Sequence, residues 1–267
     1  MPQNSEFDAW SAGDAYELYM GRWSRRIASR YLDWLAPKPD LQWLDVGCGT
    51  GALTATILDK CQPKSVHSLD PSQGFVDFAR ANTPDLRTNF QLGTATDLPF
   101  GTDSFDVVTS GLVLNFVEEP LVALAEFRRV IKPTGTLSFY VWDYPGGGMG
   151  MIDAFWAAAA AVDPKSAELN ESARFPTCTR DGIVELCRSA GFDDAKVTDI
   201  SDTTDFPDFE AFWQPFTLGA GPAPGYCKSL PVAQQVQLKD ALASQVGNTK
   251  PVSLPARAWA AKIQIVG

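Results

Sequence analysis

The sequence predicts an α/β fold built on a mostly parallel sheet with a helical cap. Three observations carry this. Short apolar runs alternate with helical patterns from residue 41 to residue 142, as strands and crossover helices do in a parallel sheet. The first run, LQWLDVG, opens into a glycine-rich turn. The closing KIQIVG has the period-two alternation of a strand.

The elements follow in order. The first 36 residues read as mostly helical, with Ile27, Tyr31, Leu32, Trp34 and Leu35 at helical spacing and a stop at Ala36-Pro37. LQWLDVG is a buried strand, GALTATILDKC a helix, SVHSLD a strand, SQGFVDFARAN a helix and TNFQLG a third strand. SFDVVTSG is a fourth strand, residues 119–131 a helix, Pro133-Thr134-Gly135 a turn and TLSFYVW a fifth strand. PGGGMG reads as a flexible turn, and MIDAFWAAAAAV is a helix with Ile152, Phe155, Trp156 and Ala159 on one face. TRDGIVELCRSAGF is a helix stopped by Gly191, and DAKVTDI a strand expected to run parallel to the others. An irregular aromatic stretch covers residues 201–226, and VAQQVQLKDALASQV is helical. The expected organisation is an N-terminal helical segment (1–40), a core (41–141, 179–200 and 250–267) and two insertions that form a cap (142–178 and 201–249).

Composition narrows the function. The 267 residues carry a net charge of −10, which repels phosphate backbones and argues against a nucleic-acid partner. A single histidine, His67, argues against a histidine-rich metal site and reads as a packed strand residue. The odd count of 5 cysteines contains no C-x-x-C pair, so reduced thiols in a cytoplasmic protein are expected. MPQNSEFDAW lacks a signal-peptide pattern, and no apolar run has the length of a membrane span.

The segment WLDVGCGTGALT is the most informative. A strand delivers Asp45, then Gly47, Gly49 and Gly51 form a G-x-G-x-G turn before a helix. Glycines let a ligand approach the backbone closely, and free N–H groups at a helix start hold polar ligand atoms. Asp70 ends the second strand 19 residues beyond Gly51, where an acidic residue accepts hydrogen bonds from ribose hydroxyls. It equally suits the N-cap of the next helix. The spacing leaves a nicotinamide dinucleotide open. Asp45 before the loop disfavours a pyrophosphate and suits a ligand with an ammonium and a sulfonium, as in S-adenosylmethionine (SAM).

Together, WLDVGCGTG, SLDPSQGFVDFARAN, LGTATDLPFGTDSFDVVTSGLVLNFV and FRRVIKPTGTL resemble successive motifs of the class I SAM-dependent methyltransferases. The resemblance is strong over residues 43–141 and looser beyond. It implies a Rossmann-like class I methyltransferase sheet, mostly parallel with an antiparallel last strand, SAM as cofactor and S-adenosylhomocysteine (SAH) as product. It implies that Asp45, Gly47, Cys48, Gly49 and Gly51 line the methionine part, that Asp70 binds the ribose, and that Pro71 and Phe75 pack near the adenosine. Thr94 stands where the family often has an adenine-binding Asp, with Asp97 as a substitute. Ala95 and Thr96 would approach adenine through the backbone, and Ser110 and Gly111 would face the methionine end. DAYELYMGRWSRRIA resembles the N-terminal helix of small-molecule members. There Tyr19 would close over the cofactor and Arg22 would meet its carboxylate, or Arg22 would sit on a solvated face.

Methyl transfer needs mainly alignment of the acceptor and exclusion of water, with no metal. No catalytic base is assigned. Asn115 stands where the family often has a histidine and would orient the substrate. Trp142, Trp156 and Trp213, with Phe155 and Phe212, are expected to enclose a small, apolar or aromatic acceptor. The Gly146-Gly147-Gly148 run is expected to give the first insertion mobility. Two alternatives stay open: a quinone or lipid-type methyltransferase at a membrane surface using the SRRIASRYLDWL helix, and a non-catalytic SAM-binding protein.

Overall fold

A computed structural model describes residues 13–219, 221–247 and 251–266. The signal-peptide reading of residues 1–10 and the first part of the N-terminal helical segment lie outside the described residues.

The chain begins with α1 (Gly13–Tyr16), a π-helical turn (Glu17–Gly21) and α2 (Arg22–Leu35). Ile27, Tyr31, Leu32 and Leu35 form the buried face of α2, as their spacing predicts. Ala36 ends the helix in the left-handed region, and its N–H donates to the Leu32 carbonyl. Then come β1 (Gln42–Val46), α3 (Ala52–Lys60), β2 (Ser65–Asp70), α4 (Gln73–Asn82) and β3 (Thr88–Leu92). β4 (Phe105–Gly111), α5 (Pro120–Val130) and β5 (Ile131–Trp142) complete the alternating part.

The remaining elements are α6 (Gly150–Val162), α7 (Glu171–Arg174), α8 (Arg180–Ser189), β6 (Lys196–Phe206), α9 (Phe209–Trp213), α10 (Pro222–Ser229), α11 (Val232–Val246) and β7 (Val252–Gln264). The 7-stranded sheet has the order β3-β2-β1-β4-β5-β7-β6. β7 is antiparallel to both neighbours, so β6 runs with β1–β5, as expected. The strand order reverses between β1 and β4, which opens a crevice at their carboxyl ends.

The structure corrects three local expectations. Pro133-Thr134-Gly135 is no chain reversal. It is an irregularity inside β5, where the register passes from Phe105 opposite Ile131 to Val107 opposite Thr136. Proline cannot donate to a ladder and Thr134 has φ 68°, so the extra residues bulge out while the strand continues. β6 extends to Phe206, paired with β7 through Val252, so residues 201–206 belong to the sheet. The glycine run after β5 is tied down. Asp143, only 1% exposed, accepts from the Gly146 N–H and from Arg257 Nε at 3.0 and 2.6 Å.

The two insertions pack on each other through α6 and α11. Phe155 stacks on Phe216 with centroids 4.6 Å apart, and Phe216 in turn meets Tyr19 edge-on at 5.7 Å. All 5 cysteines are buried free thiols. Among the described residues no acidic, histidine and cysteine cluster could hold a metal, and no helix is long and apolar enough to cross a membrane.

Candidate active site

The strand ends build the site. β1 delivers the glycine loop, in which Gly47 and Gly49 have φ 75° and 53°. A Cβ at position 47 would lie 2.5 Å from Val113, whereas one at position 49 would meet nothing within 4 Å. The first glycine thus lets the loop pass Val113, and the second leaves open space beside the backbone. The Gly47 and Cys48 N–H groups both donate to the Leu69 carbonyl, which fastens the loop to β2.

Asp70 stands at the tip of β2. Its Oδ2 accepts from the Gly49 N–H at 3.0 Å, and its Oδ1 from the Ser72 N–H at 2.9 Å. Ser72, rather than Asp70, caps α4 through its contact with the Phe75 N–H. Burial pushes the Asp70 carboxyl up while the two backbone N–H groups pull it down. Each carboxylate oxygen keeps further lone-pair capacity.

A cavity of about 400 Å³ opens over these groups. Gly47, Cys48, Gly49, Asp70, Pro71 and Phe75 line one end, with Gly111 from β4. Tyr19, Trp142, Tyr144 and Glu171 line another part of the wall. The π-helical turn brings Tyr19 and Met20 to the cavity, and such turns recur at functional sites. The Tyr19 hydroxyl is buried without a hydrogen-bond partner.

Other residues singled out from the sequence lie off this cavity. Asp45 points under the loop, where Thr54 Oγ1 donates to it at 2.7 Å. Burial pushes its carboxyl up to about 7, opposed by the Thr54 hydroxyl and helped by Asp70. Gly51 faces α4, where a Cβ would lie 3.3 Å from Ala79. Ser110 Oγ donates to the Val46 carbonyl at 2.8 Å and ties β4 to β1. Thr94 is exposed and bridges Asp97 in the turn that holds Ala95 and Thr96, outside the cavity lining.

Arg22 does not reach the cavity. Its guanidinium lies 4.5 Å over the Trp23 ring and 4.8 Å over Phe206. A planar cation gains attraction on two aromatic faces, and this holds it at the β6 side. Asn115 sits in the turn after β4 with a buried, unpartnered Nδ2, while Phe116 beside it lines the cavity. Trp156 lies behind the wall, where its indole N–H donates to the Glu171 carboxylate. Trp213 packs against Phe216 in the second insertion. The first insertion therefore reaches the cavity, and the second backs it. His67 packs edge-on against Phe100 and Phe105, as expected of a strand histidine.

Sequence reasoning passed over Glu171, Tyr16, Tyr140 and Phe116, all of which line the cavity. Glu171 lies in a four-residue helix inside an irregular insertion. Its one signal was an acidic residue following Asn170, a capping residue.

The crevice at the strand reversal, the glycine loop and Asp70 together form the arrangement with which open α/β sheets bind nucleotides. Residues 44–139 match the methyltransferase domain family, and the overall fold is similar to that of a putative methyltransferase of Bacillus halodurans, with a TM-score of 0.59 at 16% identity over 90% of this chain and 99% of that one. A demethylmenaquinone methyltransferase of Renibacterium salmoninarum is 37% identical over 131 residues, covering 49% of this chain and 53% of that protein. The chain thus spans about half the length of that relative. A ubiquinone/menaquinone biosynthesis C-methyltransferase of Dinoroseobacter shibae is 28% identical over 200 residues, 69% of this chain and 79% of its own length. The structure of phosphoethanolamine N-methyltransferase 2 of Haemonchus contortus, in complex with phosphomonomethylethanolamine and SAH, shares the fold with a TM-score of 0.61. It is 14% identical, and the match covers 100% of this chain and 62% of that one.

Proposed function

We propose that this chain transfers the methyl group of SAM to a small, largely apolar or aromatic molecule by in-line displacement. The observation that carries the reading is the single cavity that joins Asp70 and the glycine loop to a wall of aromatic side chains. The residues present fit the cofactor: Asp70 keeps acceptor capacity for ribose hydroxyls, Gly49 leaves open space beside the loop, and Tyr19 offers an unsatisfied hydroxyl. When bound, SAM supplies an electrophilic methyl carbon. Gly47, Cys48, Gly49 and Gly111 would hold its methionine end, and Pro71 and Phe75 its adenosine. The aromatic wall would exclude water and orient the acceptor. No cation among the described residues lines the cavity, so backbone N–H groups and hydroxyls would replace Arg22 at the cofactor carboxylate. The size of the cavity, about 400 Å³, and the net charge of −10 favour a small molecule over a nucleic acid. A cytoplasmic location fits the free buried thiols.

The experiment is calorimetric titration with SAH, SAM and NAD, alongside thermal melts. SAH is expected to bind in the micromolar range and raise the melting temperature. Binding of NAD without SAH at millimolar concentration overturns the reading.

A quinone-type acceptor is a second reading, favoured by the names of the two relatives. The α2 helix does not support action at a membrane surface. Its apolar face is buried, and Arg26 and Arg30 both pair with Asp202.

A further inference from the structure

Two neighbouring tyrosines differ in what holds their hydroxyls. Tyr31 of α2 and Tyr140 of β5 are both buried, with ring centroids 4.5 Å apart. The Tyr31 hydroxyl is hydrogen-bonded to Thr109 Oγ1 on β4 at 2.8 Å. Tyr140 lies opposite Gly111 in the β4–β5 ladder. Positions 109 and 111 share one face of β4, so the hydroxyl that serves Tyr31 has no counterpart for Tyr140. Among the described residues, no hydrogen bond holds the Tyr140 hydroxyl.

Gly111 makes room for it. A Cβ at position 111 would lie 2.6 Å from Tyr140 Oη and 2.8 Å from Cζ, so the hydroxyl fills the space over this glycine. The Leu112 N–H donates to the Tyr140 carbonyl at 2.7 Å, which fixes the backbone there. Gly111, Tyr140 and Trp142 all line the cavity, and residues 140 and 142 project from the same face of β5. The hydroxyl therefore stands between the strand end read as holding the methionine part of the cofactor and the aromatic wall. Leu112, Val113 and Ile152 add apolar lining. Burial, and then Tyr31, Asp45 and Tyr16, push the Tyr140 hydroxyl well above its ordinary value. It stays protonated, with one O–H to donate and lone pairs to accept, and it is no base. A buried hydroxyl without a partner is costly, and a ligand oxygen restores the missing bond.

Resting on the methyl-transfer reading above, we propose that Tyr140 is a specificity-determining residue whose hydroxyl hydrogen-bonds a neutral oxygen, a hydroxyl or a carbonyl, on the small aromatic acceptor. The bond orients that end of the acceptor beside the methionine end of the cofactor site. A site built to pair an oxygen discriminates against the analogue that lacks it, because the protein hydroxyl is then left unpaired.

The test uses the full chain saturated with SAH, titrated with 2-phenylethanol, acetophenone and propylbenzene and followed by ligand-observed NMR. Tyr140→Phe should weaken at least one of the two oxygen-bearing probes by about three- to tenfold, the range of one neutral hydrogen bond. Propylbenzene should hold within about twofold or bind more tightly, and SAH should hold within about twofold. A role confined to packing would move all three probes together. Tyr31→Phe is the control. It should lower the melting temperature, because Thr109 loses its partner, and leave the ranking of the probes unchanged. Undiminished binding of both oxygen-bearing probes in Tyr140→Phe, an equal loss for all three, binding of none of them to wild type, or a larger fall in SAH affinity overturns the proposal. A Tyr140→Phe chain that does not fold would show that the protein itself holds the hydroxyl, and overturns it too. Failure of wild type to bind SAH would instead strike the methyl-transfer reading, so the two failures are distinguishable.

Discussion

The Gly49 N–H donates to Asp70 Oδ2 at 3.0 Å, so one hydrogen bond joins the glycine loop after β1 to the tip of β2. The same carboxylate receives the Ser72 N–H at the start of α4. Asp70 is therefore both a ligand candidate and a brace for two segments that face the ligand.

Asp70→Ala is expected to weaken SAH binding by about 1.5–3 kcal/mol, the range for hydrogen bonds to a charged group. Its melting temperature should fall as well, because two part-buried backbone N–H groups lose their acceptor. Asp70→Asn keeps one carbonyl oxygen and should lose less of both. Calorimetry and thermal melts check this. Unchanged affinity in Asp70→Ala would reduce the residue to its bracing role.

The buried carboxyl of Asp45 gives a pH signature. Its pKa is raised from 3.8 to about 7 by burial. The folded state thus holds the proton more tightly than the unfolded chain. Its stabilising contribution is present in full below about pH 4, declines as pH rises through 7, and is flat above. Asp45→Asn should remove this decline and make the protein more stable than wild type above pH 7, by part of the roughly 4 kcal/mol the shift represents. Urea unfolding of both proteins from pH 4 to pH 8 checks it. A constant difference across that range would sink the assignment.

Much of this architecture is legible because strands and crossover helices write strong periodicities. SVHSLD is β2 to the residue, and Ile27 to Leu35 mark the buried face of α2. The glycine loop and Asp70 are legible because a turn with positive φ and a strand-end carboxylate each demand particular residue types. Arg22, Trp156, Trp213 and Glu171 are a different matter. Which way a long side chain turns depends on partners far along the chain, such as Phe206 for Arg22. The end of β6 was hidden for a related reason. Residues 201–205 are polar or acidic, and they hold a strand because β7 pairs with them.

Asp143 and Arg257 close the base of the first insertion. Besides the side-chain pair, the Asp143 N–H donates to the Arg257 carbonyl, and the Arg257 N–H to the Gly148 carbonyl. Asp143→Ala is expected to cost about 2 kcal/mol, since a buried acceptor is lost while the half-exposed Arg257 regains water. Limited proteolysis should then cut between residues 145 and 149 in the variant and spare the wild type. Equal resistance would show that the backbone pairs alone hold the turn.

The two tryptophans of the cap should separate by phenotype. Trp213 is 8% exposed and packs against Phe216, off the cavity lining. Trp213→Ala leaves a void beside rings that are themselves pinned, because Phe216 stacks on Phe155. A loss of about 3 kcal/mol is expected, with a melting temperature lower by roughly 6–12 °C for a chain of this size. SAH affinity should stay within about twofold, because no lining residue is altered. Trp156→Phe is the opposite case. It keeps most of the ring volume but removes the N–H that holds Glu171. Stability should fall by about 1 kcal/mol while the cavity loses the orientation of its carboxylate. The readout is acceptor-side binding measured against SAH binding in the same preparation. Trp213→Ala should be a stability variant with normal ligand affinities at low temperature. Trp156→Phe should bind SAH normally and an apolar or aromatic acceptor several-fold less well. Loss of SAH affinity in Trp213→Ala would mean that the second insertion shapes the cofactor end directly, contrary to its placement behind the first.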